Sequence, residues 1–156
     1  MEEFNQERLQ VTDLEEGMYR LTIGDLFIDN LSSKELADGV NLAIYPNTPQ
    51  YQQAAKIMYL NEERFEVEKR FREYLWTECS FLKKEGLLFA DNQQAVDKLK
   101  EYLPKDIFLK ASYDWYIKAM HPEIREVWGD YIKKIVETIY KINRPVTQKV
   151  RLTKIE

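Results

Sequence analysis

Apolar and polar residues alternate from Arg8 to Thr12 and again from Met18 to Ile23. Leu9 and Val11 share one face, and Tyr19, Leu21 and Ile23 share another, the period-2 signature of half-buried strands. Leu14-Glu15-Glu16-Gly17 reads as a turn between them, with Gly17 available for positive φ. Gly24-Asp25 gives a second turn before Leu26-Phe27-Ile28. Residues 1–31 are thus predicted to form a meander of three short strands.

The pattern then changes to helical. Ser32-Ser33-Lys34-Glu35 has the form of a capping box, in which a serine hydroxyl accepts from an early helical N–H while Glu35 reaches back. Gly39 follows as a C-terminal cap, so residues 32–47 are read as a short helix and loop. Thr48-Pro49 is a stronger start, because Thr48 can cap and proline at the first helical position gives up no needed N–H. The helix is expected to run to about Glu85 and stop at Gly86. Ala54, Met58, Phe65, Leu75, Cys79 and Leu82 lie along one side of it, and Ile57, Leu60, Val67, Phe71, Tyr74 and Phe81 widen the apolar surface. Burial on more than one side is expected. Asp91 with Gln94 starts a third helix that ends before Pro104, and Ile107 to Met120 makes an aromatic-rich fourth. Pro122 opens a fifth, whose stripe of Ile124, Trp128, Tyr131, Ile135, Ile139 and Ile142 ends before Pro145. Residues 145–156 read as a C-terminal strand, with Val150 and Leu152 opposed to Lys149 and Arg151. An isolated strand leaves its backbone unpaired, so it should join the front meander.

The expected fold class is therefore α+β. Residues 48–144 form a bundle of about four helices, and the meander and C-terminal strand form a small antiparallel sheet, all in one domain over residues 1–156. The length of 156 residues and the 44% apolar content fit such a domain, and 13% aromatic residues argue against disorder. No apolar run approaches the roughly 20 residues of a bilayer span. The opening MEEFNQERLQ shows no secretory leader, and the compartment stays open.

Net charge is −4, unevenly spread. Residues 133–154 hold Lys133, Lys134, Lys141, Arg144, Lys149, Arg151 and Lys154 against Glu137, whereas residues 1–16 hold Glu2, Glu3, Glu7, Asp13, Glu15 and Glu16 against Arg8. The reading is mutual attraction between the two ends. Aromatic residues do not interleave with the basic ones, so a nucleic-acid partner is not expected.

Candidates for chemistry are few. His121 is the single imidazole, so a triad would pair it with Ser80 or Ser112 and with Asp114 or Asp130. No Gly-x-Ser-x-Gly elbow surrounds any serine. Cys79, the single cysteine, excludes an internal disulfide and lies beside Glu78 in mid-helix, a setting for packing rather than for a reactive thiol. Glu62, Glu63 and Glu66 could be imagined around a metal, but no second helix supplies a matching ExxH motif. That stretch reads as a solvated face braced by Glu66–Arg70 and Glu68–Arg72 pairs. No catalytic residue, metal ligand or cofactor is assigned.

Leu9, Val11, Leu14, Gly17 and Tyr19, within residues 5–21, resemble a Leu-x-Val-x-Gly-Leu-x-x-Gly-x-Tyr strand–turn–strand of bacterial SGNH (GDSL-type) hydrolases. Ile23-Gly24-Asp25 is similar to the Ile-Asp-Gly turn that follows there, with glycine and aspartate exchanged. Ser33 to Ala43 and Thr48-Pro49 resemble a Ser-x-Glu-Leu-x-x-Gly-Ile-Asn-Leu-Ala … Thr-Pro signature lying after the catalytic domain. The family's nucleophile block has no counterpart, since Leu26 follows Gly24-Asp25 where serine is required. Its Asp-x-x-His block fails too, because Lys118 stands three before His121. The resemblance implies the non-catalytic C-terminal region of an SGNH-type ester hydrolase, encoded or expressed without its catalytic half, with the upstream catalytic domain or another protein surface as partner. A standalone helical interaction module and a small hydrolase using His121 are the alternatives. An apolar patch is expected on the front meander or around Trp115 and Tyr116.

Overall fold

The computed structural model describes residues 5–155, so Glu2 and Glu3 of the acidic front lie outside it. Among the described residues the chain runs β1 (Arg8–Leu9), β2 (Met18–Ile23), β3 (Leu26–Ser32), α1 (Ser33–Asp38), β4 (Val40–Asn41), α2 (Pro49–Thr77), α3 (Gln93–Tyr102), α4 (Ile107–Ala119), α5 (Pro122–Ile142) and β5 (Val150–Ile155). The fold is α+β, with four long helices and a small antiparallel sheet that joins the two ends of the chain. The chain divides into two compact units, residues 1–58 with 141–156 and residues 59–140.

In the first unit the sheet order is β3-β2-β5, all antiparallel. The Gly24-Asp25 turn closes the β2–β3 hairpin, with Ile23 paired to Leu26 and Gly24 at φ 61°. The tail strand lies on the other edge of β2, with Leu152 opposite Leu21. Tyr19, Leu21, Ile23, Ile28 and Leu31 pack with Leu36 of α1 and with Leu42. Apolar burial of this kind contributes roughly 1.5–3 kcal/mol per large side chain.

The expected three-strand meander is corrected at its first strand. β2 already has a neighbour on each edge, so β1 has none to join there. It pairs instead with β4, Arg8 opposite Asn41 and Leu9 opposite Val40. The Asn41 side chain accepts from the Glu7 N–H at 2.9 Å, and the Val11 N–H donates to the Leu36 carbonyl at 2.9 Å. The tail strand also starts later than expected, at Val150, and Val150 is 43% exposed while Leu152 is half-buried. Of the expected end-to-end charge contacts, Lys154 reaches Glu15 at 2.8 Å.

Helix starts follow the sequence signals closely. Ser32 caps α1 and forms the full capping box with Glu35. Gly39 ends it at φ 93°, where an added Cβ would collide with Arg8 Nε. The buried Thr48 caps α2, accepting from the Tyr51 N–H at 3.3 Å. At α3 the cap is Asn92, one residue beyond the Asp91 expected; its side chain accepts from the Ala95 N–H.

The second unit has a core of Val67, Tyr74, Phe81, Leu82, Ala95, Val96, Leu99, Leu109, Tyr116, Ala119 and Trp128. Between α2 and Gly86 the helix does not continue regularly. It widens into a π-helical turn over Glu78–Leu82 and tightens into a 3₁₀ turn over Lys83–Glu85, ending at Gly86 in the left-handed region. A π turn takes more residues per revolution than an α turn. Leu82 thereby returns to the stripe of Tyr74 and Glu78, and all three are buried.

Candidate functional site

π turns inside α-helices occur frequently at functional sites, and this one carries the most unusual side chain of the second unit. Glu78 is fully buried. Its Oε2 accepts the Phe89 N–H at 2.6 Å, while its Oε1 has no hydrogen-bond partner among the described residues. Burial pushes its carboxyl above the usual carboxylate range, against the lowering effect of that backbone bond; nearby Asp91 adds to the rise and Arg125 opposes it.

The loop after Gly86 is drawn onto the same cluster. Phe89 and Asp91 both have positive φ, 54° and 45°, a region non-glycine residues rarely occupy. Asp91 Oδ1 accepts from Tyr74 Oη at 2.9 Å, and Asp91 Oδ2 meets Arg125 Nη1 at 2.9 Å. Arg125 also donates to the Ala119 carbonyl and stacks over the Tyr74 ring at 5.0 Å. Tyr116 is buried and stacks on Tyr74 at 5.8 Å, and its hydroxyl has no partner among the described residues. Burial raises both phenols above their ordinary range, so they stay protonated. The arrangement clamps the 86–92 loop to the bundle through Glu78 and Asp91.

Among the described residues no hydrogen bond links the His121 side chain to the candidate serines or aspartates. Ser112 is buried, shares a hydrogen bond with Thr77 at 3.3 Å, and donates to the Phe108 and Leu109 carbonyls. Ser80, Asp114, His121 and Asp130 are exposed. His121 serves the helix junction through its backbone, its carbonyl accepting from the Ile124 and Arg125 N–H groups. Glu62, Glu63 and Glu66 are exposed, and no group of three metal-ligating side chains forms among the described residues. No described helix is long and apolar enough to cross a membrane.

Three expectations are corrected here. Cys79 is exposed rather than packed, because the core takes the Val67, Phe71, Tyr74 and Glu78 side of the helix. Glu68 does meet Arg72, at 3.9 Å, and also Arg64 at 2.8 Å. Arg70, however, stacks over Trp115 and Trp128 instead of pairing with Glu66. The expected apolar exposure is found on the front meander, at Met18, Leu26 and Phe27, but not around Trp115 and Tyr116, where Tyr116 is buried and Trp115 half-buried and the exposed large apolar residues of α4 are Ile107 and Phe108. The signal that could have found Glu78 is its spacing, four after Tyr74 and seven after Phe71, on the stripe that begins at Val67.

Residues 55–144 match the family model described as the diltiazem deacetylase C-terminal helical domain. The match takes in more than half of the chain, which therefore belongs to that family of C-terminal helical domains. A solved structure described as a gut microbial diltiazem-metabolizing enzyme is 43% identical, with a TM-score of 0.90. That likeness covers 96% of this chain and 34% of the other, so this chain spans about a third of that protein's length. No curated protein matches it.

Proposed function

We propose that this chain is the non-catalytic C-terminal region of an SGNH/GDSL-type ester hydrolase, packing on or shaping access to a catalytic domain that precedes it. The observation that carries the reading is the family match, joined to 43% identity over nearly the whole chain with about a third of an enzyme. A deacetylase breaks an acyl bond, the chemical class to which SGNH enzymes also belong. The engagement of Ser112 with Thr77, Phe108 and Leu109 supports a structural role for it.

The docking face assigned by this reading lies in the second unit. Trp76 and Phe108, with Arg72, Glu73 and Ala111, line an open groove of about 600 Å³. Phe108 in that lining and Ile107 before it are 71% and 77% exposed. Large contiguous apolar patches left in water usually mark an interaction surface, and Trp76, Ala111 and Phe108 share this one.

The test mixes the chain with the upstream two thirds of the solved relative, prepared without its own C-terminal region. The expected result is a stable complex, weakened by Phe108→Asp, and no hydrolysis of activated acetyl esters by the isolated chain. Stoichiometric fluorophosphonate labelling of one serine in this chain, lost on His121→Ala, would instead establish a small hydrolase.

A further inference from the structure

A second groove, built wholly within the first unit, has different chemistry. Pro49, Gln50, Gln53 and Lys56 from the first turns of α2 face Ile142, Pro145, Val146 and Gln148 across a cleft of about 390 Å³. Gln53 holds the far wall in place, its Nε2 donating to the Ile142 carbonyl and to the Arg144 carbonyl at 2.8 Å. Gln50 donates to Glu7 at 2.9 Å, which fixes its amide and leaves Oε1 without a partner among the described residues. Val146, Thr147 and Gln148 make no backbone–backbone hydrogen bond among the described residues, although β5 begins only two residues later. Lys56 lines the cleft, and Lys141, Arg144 and Lys149 adjoin its far wall in sequence. All four are exposed, and none makes an ion pair among the described residues.

We propose that this cleft binds an extended acidic polypeptide segment, which lies along residues 146–148 as an added strand. Two features select that occupant. The unpaired backbone of 146–148 can exchange hydrogen bonds with an extended chain, the mode by which peptides augment sheets. Lys56 in the lining and the exposed, unpaired Lys141, Arg144 and Lys149 that adjoin its far wall in sequence complement carboxylates, while the apolar floor of Pro49, Ile142, Pro145 and Val146 takes the apolar side chains between them. Aromatic residues are missing from the lining, so bases have nothing to stack on. The cleft is independent of the docking face at Trp76 and Phe108, and either assignment can fail alone.

The experiment titrates the full chain into a fluorescein-labelled peptide alternating glutamate and valine and follows anisotropy. Saturable binding that weakens with added salt is expected. The double variant Lys56→Glu/Arg144→Glu should bind at least about tenfold more weakly, whereas Lys133→Glu should leave affinity within about twofold. Melting curves and circular dichroism establish that both variants are folded; if the double variant is not, Val146→Asp, an exposed site, takes its place. No binding at millimolar peptide overturns the proposal, as does unchanged affinity in the folded variant. Equal or tighter binding of a thymidine oligonucleotide or of phosphatidylserine vesicles overturns it as well, since the cleft would then be a general anion patch.

Discussion

Replacing Glu78 separates its two contributions, acceptor and charge. Glu78→Ala strands the Phe89 N–H, and a buried donor without a partner costs about 1–3 kcal/mol. The removed side chain was fully buried, so a packing loss adds to this. Glu78→Gln keeps an acceptor at nearly the same place and removes the titrating proton. Because burial raises the carboxyl pKa in the folded state, folding takes up a proton over the interval between the unfolded and folded values. The contribution of Glu78 is thus greatest at acid pH and is lost as pH rises through the folded value. A tenfold difference in proton affinity between the folded and unfolded chain corresponds to about 1.4 kcal/mol. Carboxylates held down by partners, Glu35 by Ser32 and Asp97 by Lys100, work in the opposite direction, so the wild-type curve alone is a mixture. The informative quantity is the stability of Glu78→Gln minus that of wild type, from urea unfolding at a series of pH values. It should grow from pH 4 upward and level off once Glu78 ionises in the native state, with Glu78→Ala the least stable of the three at pH 5. A difference that stays flat, or shrinks as pH rises, would refute the assignment of Glu78 as a buried, destabilised carboxylate.

Gly39→Ala forces a residue with a Cβ to φ 93°, which costs on the order of 1–2 kcal/mol; Arg8 can swing away, so the conformation rather than the clash dominates, and urea unfolding measures it. Cys79 should react with an aromatic disulfide reagent in the native chain at a rate near that of a free thiol, and a requirement for denaturant would place it in the core after all. Ending the chain at Lys149 removes β5 and bares one edge of β2, so the first unit should lose its cooperative melt; a truncated chain that melts like the full one would show β5 to be dispensable.

The parts of this fold that were legible in the sequence are those set by local chemistry. The capping box at Ser32 and Glu35, the Thr48-Pro49 start and the glycine stops at 39 and 86 act within a turn of where they are written. Period-2 alternation likewise located β2 and its hairpin. The pairing of β1 escaped because a two-residue ladder has no period to read, and because the rule that decided it, that β2 already had two neighbours, is a property of the sheet. Glu78 escaped for a related reason. A glutamate soon after a tract of five acids and four bases reads as solvated even though its spacing puts it on the stripe of Phe71 and Tyr74, and the company of Phe89 and Tyr74 accounts for its burial.

The two-sided apolar pattern of α2 bears directly on docking. One side, Val67, Phe71 and Tyr74, is taken up by the core of its own unit. The other side is what remains: Phe65 at 55% exposure, Leu75 at 47% and Trp76 at 36%, with Arg72 laid over the Phe65 ring at 4.5 Å. Its surroundings are apolar as well, since Trp76 and Phe108 line the same groove. A helix that only had to close its own bundle would need one stripe, and surface positions would be filled with residues indifferent to water. Large side chains kept in water on the second stripe contribute little to folding the chain alone, and burial against another surface would draw roughly 25 cal/mol per Å² of apolar area from them. On the proposed function, this second stripe is the surface that would be buried against the preceding catalytic domain.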